Sequence, residues 1–126
     1  MLNYATVGSN RIEEAKVFYD ALLGLIGMTP FLEHQTGGRI YASPDHRLFG
    51  VLGTFDGKPA TAGNGSMFGF MLDSREKVSA FHAKALELGG TCEGPPGLRG
   101  PAEAGNFAAY VRDLDGNKLC AISFGN

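Results

Sequence analysis

The three histidines and two cysteines are the side chains of this sequence best suited to catalysis or metal binding. His34, His46 and His82 form no HxH or HExxH pair. Cys92 and Cys120 lack the spacing of a zinc or redox motif. A nucleophilic Cys120 would need a neighbouring base, and no histidine is predicted to face it. We therefore expect Cys120 to be buried and unreactive, and the histidines to be exposed.

Two arginines are candidate anchors for an anionic group of a ligand. Arg47 opens a predicted strand, and Arg99 lies in residues 94–104, GPPGLRGPAEA. Three prolines and three glycines in this stretch predict an irregular loop. The stretch is not a phosphate-binding loop, because it lacks the GK[ST] ending and does not lead from a strand into a helix. Both arginines retain the alternative role of plain surface charges.

The elements that must position these residues come from an internal repeat. Residues 10–27, NRIEEAKVFYDALLGLIG, and residues 73–90, DSREKVSAFHAKALELGG, are related by a shift of 63 positions, which also relates Phe18 to Phe81. Each copy begins with a short polar side chain followed three residues later by Glu, a helix N-cap pattern, and each ends on Gly. Apolar residues recur at helical spacing between these ends. The repeat predicts two helices, at 11–25 and about 74–88, in two similar modules.

Strand patterns flank both helices. The first module has predicted strands at 2–8, 28–34, 39–42 and 47–52, and the second at 66–72, from 91, at 106–112 and at 118–124. Pro30 indicates that the second strand lies at an edge or bends. We predict an α+β fold of two βαβββ modules, about 1–54 and about 66–126, joined by a linker at 55–65 within one domain. Each helix should cover the outer face of its sheet, and the opposite faces should form one cup.

Length, charge and composition narrow the classes of function. The 126 residues suffice for one domain with one core. A net charge of −2 without a basic run argues against nucleic acid as a partner. No apolar run approaches the roughly 18 residues of a membrane span. The opening MLNYATVG resembles no signal peptide, so we expect a cytoplasmic protein with reduced cysteines.

Several segments together resemble the glyoxalase/bleomycin-resistance/extradiol-dioxygenase superfamily, also called vicinal-oxygen-chelate proteins. They are FYDALLGLIGM, FHAKALELGGT, GPPGLRG and, above all, YVRDLDGNKLCAISF. The resemblance covers nearly the whole chain. It implies paired βαβββ modules that form a cup-shaped sheet, in agreement with the pattern of predicted elements.

The resemblance also implies where a divalent metal would be held. Family enzymes take His, Gln or Glu ligands from the first and last strand of each module, and the matching positions are Tyr4, Phe49, Met67 and Cys120. None of these four side chains is a carboxylate or an imidazole, the donors that a hard divalent ion prefers. We therefore expect no metal and no other cofactor in the cup.

Strand alternation places Tyr4, Phe49, Met67 and Met71 on one face. With Cys120 they would line an apolar, adaptable pocket, with Arg47 and Arg99 as polar anchors. We expect a metal-free homodimer that binds a small, partly apolar molecule. The alternatives are a glyoxalase-like lyase or isomerase, or a dioxygenase-related enzyme, with an atypical site, and a structural or regulatory relative whose cup is filled by side chains.

Overall fold

The computed structural model describes residues 1–125 and contains the βαβββ order twice. The first module comprises β1 (Tyr4–Gly8), α1 (Ile12–Leu25), β2 (Thr29–Glu33), β3 (Arg39–Ala42) and β4 (Leu48–Leu52). The second comprises β5 (Phe68–Met71), α2 (Arg75–Glu87), β6 (Thr91–Leu98), β7 (Phe107–Arg112) and β8 (Lys118–Ser123), with a short 3-10 helix at Ala102–Ala104. The predicted α+β fold of two βαβββ modules is confirmed. The predicted second module extends to residue 126, which lies outside the described residues.

Each module forms its own four-stranded mixed sheet. The strand orders are β1-β4-β3-β2 and β5-β8-β7-β6. In both sheets the first strand pairs in parallel with the last, and the other pairs are antiparallel. The first strand of each module is therefore an edge strand, which leaves β1 and β5 free to meet at the junction of the two sheets. No helix in the described part of the chain combines the length and the apolar character needed to cross a membrane.

The two helices join the modules through one apolar core. α1 packs on β2 and β4, α2 packs on β6, β7 and β8, and the two helices contact each other. The equivalent residues Phe18 and Phe81 are both fully buried in this core. The apolar face of each helix thus lies against its own sheet, and the two apolar faces belong to one hydrophobic core that spans both modules.

A buried carboxylate ties the turn before β8 to the first module. Asp113 accepts hydrogen bonds from the backbone N–H groups of Asp115 and Asn117, from the Asn117 amide, and from the Tyr19 hydroxyl at 2.5 Å. The Asn117 amide also donates to the carbonyl of Gly8 in β1 at 2.9 Å. Burial, followed by the nearby Asp113 charge, raises the pKa of the Tyr19 phenol well above its usual value. The turn DLDGN is therefore a joint between the modules as well as a turn.

The helix starts differ from the predicted caps. The N-cap of α1 is Arg11, without a side-chain hydrogen bond. The Asn10 side chain exchanges two hydrogen bonds with the backbone of Ala60 instead and holds the linker. In α2 the cap is Ser74, whose hydroxyl accepts from the backbone N–H of Lys77. A short polar residue marks both helix starts, but the neighbouring chain decides which partner it takes.

β6 extends as a strand to Leu98, into the stretch 94–104 for which the sequence predicts an irregular loop. It runs through both prolines of GPPG and pairs with β7. The register shifts between Cys92 and Gly94 and again between Gly94 and Gly97, so the prolines lie in a bulged region. β6 is an edge strand, and an edge tolerates residues that cannot donate to a neighbour. The same rule holds for Pro30, because β2 is an edge strand with a register shift just after it.

Candidate functional site

A cavity of about 420 Å³ opens between β1 of the first sheet and β5 of the second. Its walls come from the start of β1, the whole of β5, the residues that follow α1, and the turn before β4 together with the start of β4. The lining residues are Leu2, Asn3, Tyr4, Ala5, Ile26, Met28, Ser43, Asp45, Arg47, Leu48, Phe49, Phe68, Gly69, Phe70, Met71 and Leu72. The volume lies within the range of small-molecule sites, about 300–1,000 Å³.

Three phenylalanines form the inner wall of this cavity. The ring of Phe49 packs edge-on against Phe68 at 6.2 Å and Phe70 at 5.3 Å between centroids. The Phe70 ring also packs against Phe81 of α2, and the Phe49 ring also packs against Tyr19 of α1. Edge-to-face contacts of this kind hold rings in fixed positions. The inner wall is therefore apolar and anchored to both helices.

The rim of the cavity carries a local polar network. The Arg47 guanidinium donates to Asp45 at 2.9 Å, and the Ser43 hydroxyl donates to the same carboxylate at 2.5 Å. These two contacts, that of Ser43 first, lower the pKa of the Asp45 carboxyl. Arg47 thus reaches the cavity as predicted, but its charge is already paired in the structure. Arg47 is therefore a paired polar group at the rim, and its role as an anion anchor remains a prediction.

Tyr4 and Met71 lie on opposite sides of the cavity mouth. Tyr4 on β1 is 47% exposed, and Met71 on β5 is 70% exposed. Both line the cavity, so the structure brings together two residues that are 67 positions apart in the chain. Leu48 pairs with Tyr4 in the sheet register and shares its face, although no pattern in the sequence marks it as a site residue. Its pairing with Tyr4 would have identified Leu48, but the residue pattern of one strand does not show which residue of another strand lies opposite.

The prediction that Phe49 shares a face with Tyr4 is wrong. In the parallel register, Tyr4 pairs with Leu48 and Ala5 pairs with Phe49. Since successive residues of a strand point to opposite faces, Phe49 points toward the helices, where it is 3% exposed. It borders the cavity only through the inner wall. A one-residue shift along a strand reverses the face of a side chain, so Leu48 and not Phe49 shares the face of Tyr4.

Cys120, Met67 and Arg99 lie outside the lining of this cavity. Cys120 pairs with Gly69 of β5 on the face opposite the helices and is buried, as expected, with a free thiol. Burial raises the pKa of this thiol and outweighs the opposite effects of the Tyr110 hydroxyl and the charges of Arg99 and Lys118. Met67 precedes β5 and is 44% exposed. A binding role for these three residues remains a prediction.

The positions that match the family's metal ligands do not suit a divalent metal. Tyr4, Met67 and Cys120 offer a phenol, a thioether and a neutral thiol, and the fourth position offers an apolar side chain whether it is Phe49 or Leu48. A structural or catalytic zinc needs three or four good donors. Among residues 1–125, no group of three or more His, Cys, Asp or Glu side chains is arranged to hold an ion.

His82 is buried, contrary to the expectation of an exposed helix-edge residue. It is 8% exposed, and its Nε2 lies 3.2 Å from the Cys92 sulfur on β6. Burial lowers the pKa of the His82 imidazole. The bulged edge strand covers this side of α2, which the helical pattern alone does not reveal. The pair lies on the helix side of the second sheet, away from the cavity.

Comparisons with known proteins agree with this architecture. The family model "Glyoxalase/Bleomycin resistance protein/Dioxygenase superfamily" matches residues 1–121. A solved glyoxalase/bleomycin resistance protein from Albidiferax ferrireducens T118 is 44% identical, with 98% of both chains covered and a TM-score of 0.87. No curated protein matches the chain.

Two more distant structures show the same fold. A glyoxalase/bleomycin resistance protein/dioxygenase family enzyme from Burkholderia phytofirmans PsJN is 15% identical, with 96% of each chain covered and a TM-score of 0.74. A glyoxalase-related enzyme from Fulvimarina pelagi is 16% identical, with 98% of this chain and 87% of that chain covered and a TM-score of 0.75. Because the family model spans almost the whole chain and the repeat, strand order and turn motif agree with it, this protein belongs to the glyoxalase/bleomycin resistance protein/dioxygenase superfamily.

Proposed function

We propose that this protein binds a small, partly apolar molecule in the cavity between β1 and β5. The observation that carries the proposal is the 420 Å³ cavity itself, with its wall of Phe49, Phe68 and Phe70 and its polar rim at Arg47. Apolar walls supply binding free energy through burial, and a few polar groups at the rim fix orientation. Met71 at the mouth adapts its shape easily, which suits ligands of varied outline.

The cavity can be closed from within to test this proposal. Gly69 lines it, and a Cβ at this position would meet only the Cys120 Cβ and carbonyl oxygen at 3.8 and 4.0 Å, which are ordinary contact distances. We expect Gly69→Phe to fold and to reduce binding of the neutral fluorescent probe N-phenylnaphthylamine at least roughly tenfold, because the ring occupies the probe's volume. Probe fluorescence during titration measures the affinity.

A matched control places the same substitution outside the cavity. A Cβ on Gly24 of α1 meets nothing within 4 Å, so Gly24→Phe adds the ring to the solvent side of the helix. We expect this variant to bind the probe like the unsubstituted protein. Unchanged binding by a folded Gly69→Phe variant would remove the cavity as the binding site.

We further propose that binding in this protein uses no divalent metal. The support is the donor set at Tyr4, Met67 and Cys120, which lacks carboxylate and imidazole. We expect the melting temperature to be the same with and without EDTA, and with added zinc, nickel or manganese, because removing an ion that is not bound cannot change stability. Metal analysis of protein prepared without an affinity tag provides the second measurement. Near-stoichiometric metal together with a lower melting temperature in EDTA would contradict this part of the proposal.

A homodimer is also part of the proposal. β2 is an edge strand whose five residues are all exposed, including Phe31 and Leu32. An exposed apolar edge is a pairing surface for another copy of the chain. We expect light scattering at micromolar concentration to give twice the chain mass of 13.3 kDa. A mass of one chain throughout that range would exclude the dimer.

Finally, we propose that the chain acts as one domain in the cytoplasm. Both modules contribute to the same apolar core, which supports a single cooperative unit. Cys92 and Cys120 are free thiols, and Cys92 is exposed, which is compatible with a reducing compartment.

A further inference from the structure

Two cations flank Tyr110 on the sheet face opposite the helices. The Arg99 guanidinium carbon lies 5.4 Å from the centroid of the Tyr110 ring, and the Lys118 ammonium lies 5.5 Å from it. All three side chains are partly buried. They come from three different strands or their ends, so the fold brings two positive charges to one ring.

Neither cation has a carboxylate partner within the described residues. Arg99 donates to carbonyl oxygens of its own segment, those of Pro95 at 2.7 Å and Leu98 at 3.2 Å, and Lys118 forms no ion pair. The Glu93 carboxylate, which also feels the Lys118 charge, is held by Arg112 at 2.5 Å. The Arg99 and Lys118 charges are therefore not neutralised by ion pairing.

Glycines in the bulged strand β6 leave room for the Arg99 guanidinium. A Cβ on Gly94 would lie 2.9 Å from a Tyr110 ring carbon and 3.2 Å from one Arg99 terminal nitrogen, and a Cβ on Gly97 would lie 3.0 Å from the other. Any larger residue at either position would displace Arg99 or the ring. The two carbonyl contacts then fix the orientation of the guanidinium, which leaves fewer rotamers to be frozen when a ligand binds.

The Cys120 thiol beside this group carries no negative charge. Cys120 pairs with Tyr110 in the sheet register, so both side chains lie on the same face. Because burial raises the pKa of the Cys120 thiol, it stays protonated near neutral pH. An anion placed between the two cations would meet no charge of its own sign from this residue.

The cation group is connected to the cavity along one sheet face. Gly69, which lines the cavity, pairs with Cys120, and Cys120 pairs with Tyr110. Neighbouring strands are about 4.8 Å apart, so Tyr110 lies on the order of 10 Å from Gly69. A molecule of modest size can therefore occupy the cavity and reach the cations.

We propose that Arg99 and Lys118 form an anion subsite, which binds a carboxylate or phosphate group of a ligand whose apolar part occupies the cavity between β1 and β5. The link to the cavity rests on the proposed function, whereas anion binding at the subsite does not. A guanidinium presents two parallel N–H groups to such an anion, and a nearby ammonium adds a movable charge.

A pair of probes that differ in one charge tests the combined site. Anilinonaphthalenesulfonate has the same ring system as N-phenylnaphthylamine plus an anionic sulfonate. We expect the charged probe to bind more tightly, and the double variant Arg99→Gln/Lys118→Gln to weaken only this probe, by roughly 10- to 100-fold, as expected for the loss of charge-assisted hydrogen bonds. The control Lys77→Gln removes a cation of α2 and should change neither affinity. Lys118→Gln alone serves if the double variant does not fold, because the Lys118 side chain makes no hydrogen bond to the described residues.

Simple anions test the subsite without the cavity. We expect inorganic phosphate or acetate to raise the melting temperature of the unsubstituted protein, and to raise that of the Lys118→Gln variant by less. The anion that gives the larger increase in melting temperature identifies the group that the subsite prefers. Equal responses of both proteins to both anions, together with undiminished binding of the charged probe, would overturn the subsite while leaving the cavity proposal in place. If the unsubstituted protein does not bind the neutral probe but its melting temperature still rises with phosphate or acetate, the cavity proposal alone would be overturned.

Discussion

Phe81→Ala is expected to lower the free energy of unfolding by about 3–5 kcal/mol, the usual cost of removing a fully buried phenylalanine. Phe81 is 0% exposed at the centre of α2, and its ring contacts Phe70 of β5 at 5.8 Å. The lost volume lies in a core cluster that contains residues of both modules, so the close-packed surroundings cannot easily collapse into it. Urea denaturation followed by circular dichroism measures the change.

Controls for this variant come from the same residue type. Phe18→Ala removes the repeat counterpart of Phe81 and should cost a similar amount. Phe55→Ala removes a fully exposed ring in the linker and should change the unfolding free energy by no more than about 0.5 kcal/mol. A loss below about 1 kcal/mol for Phe81→Ala would show that α2 does not face the core as described.

The second large effect is expected at the joint between the modules. Asp113→Ala should lower the unfolding free energy by at least about 3 kcal/mol, because hydrogen bonds to a charged group contribute about 1.5–3 kcal/mol each and their buried donors lose their partner. The donors are the Tyr19 hydroxyl, the Asn117 amide and the backbone N–H groups of Asp115 and Asn117. Chemical denaturation near neutral pH measures the loss.

An exposed aspartate is the matched control for Asp113. Asp73 forms an ion pair with Lys77 one helical turn later, and its side chain is 78% exposed. Exposed pairs of this kind contribute about 0.3–0.5 kcal/mol, so Asp73→Ala should have little effect. Similar losses in the two variants would mean that the Asp113 network does not hold the modules together.

The number, order and type of the elements were determined by local pattern. Apolar residues at helical spacing locate α1 and α2 to within a residue or two, since a helix must place its apolar stripe on one side to be buried. Phe18 and Phe81 could be identified as core residues for the same reason. The repeat then paired the elements into two modules, and Pro30 was recognised as an edge residue because proline cannot donate to a neighbouring strand.

The site was predictable only in part. Tyr4, Met71 and Arg47 do line the cavity, because each lies on or beside a strand whose limits the pattern identified. Phe49 was assigned to the wrong face because its register depends on which residue of β1 lies opposite, and that partner is 44 positions away.

Other features were decided by segments remote in sequence. β6 is a strand despite its prolines because β7 pairs with it around two bulges, and His82 is buried because the same strand covers it. Arg99 and Lys118 share one ring only after β6, β7 and β8 align. The sequence alone determined what each segment can form, because helical and strand periods act over neighbouring residues. The tertiary structure decided which faces meet, because strand register, burial and charge pairing are set by contacts between residues far apart in the chain.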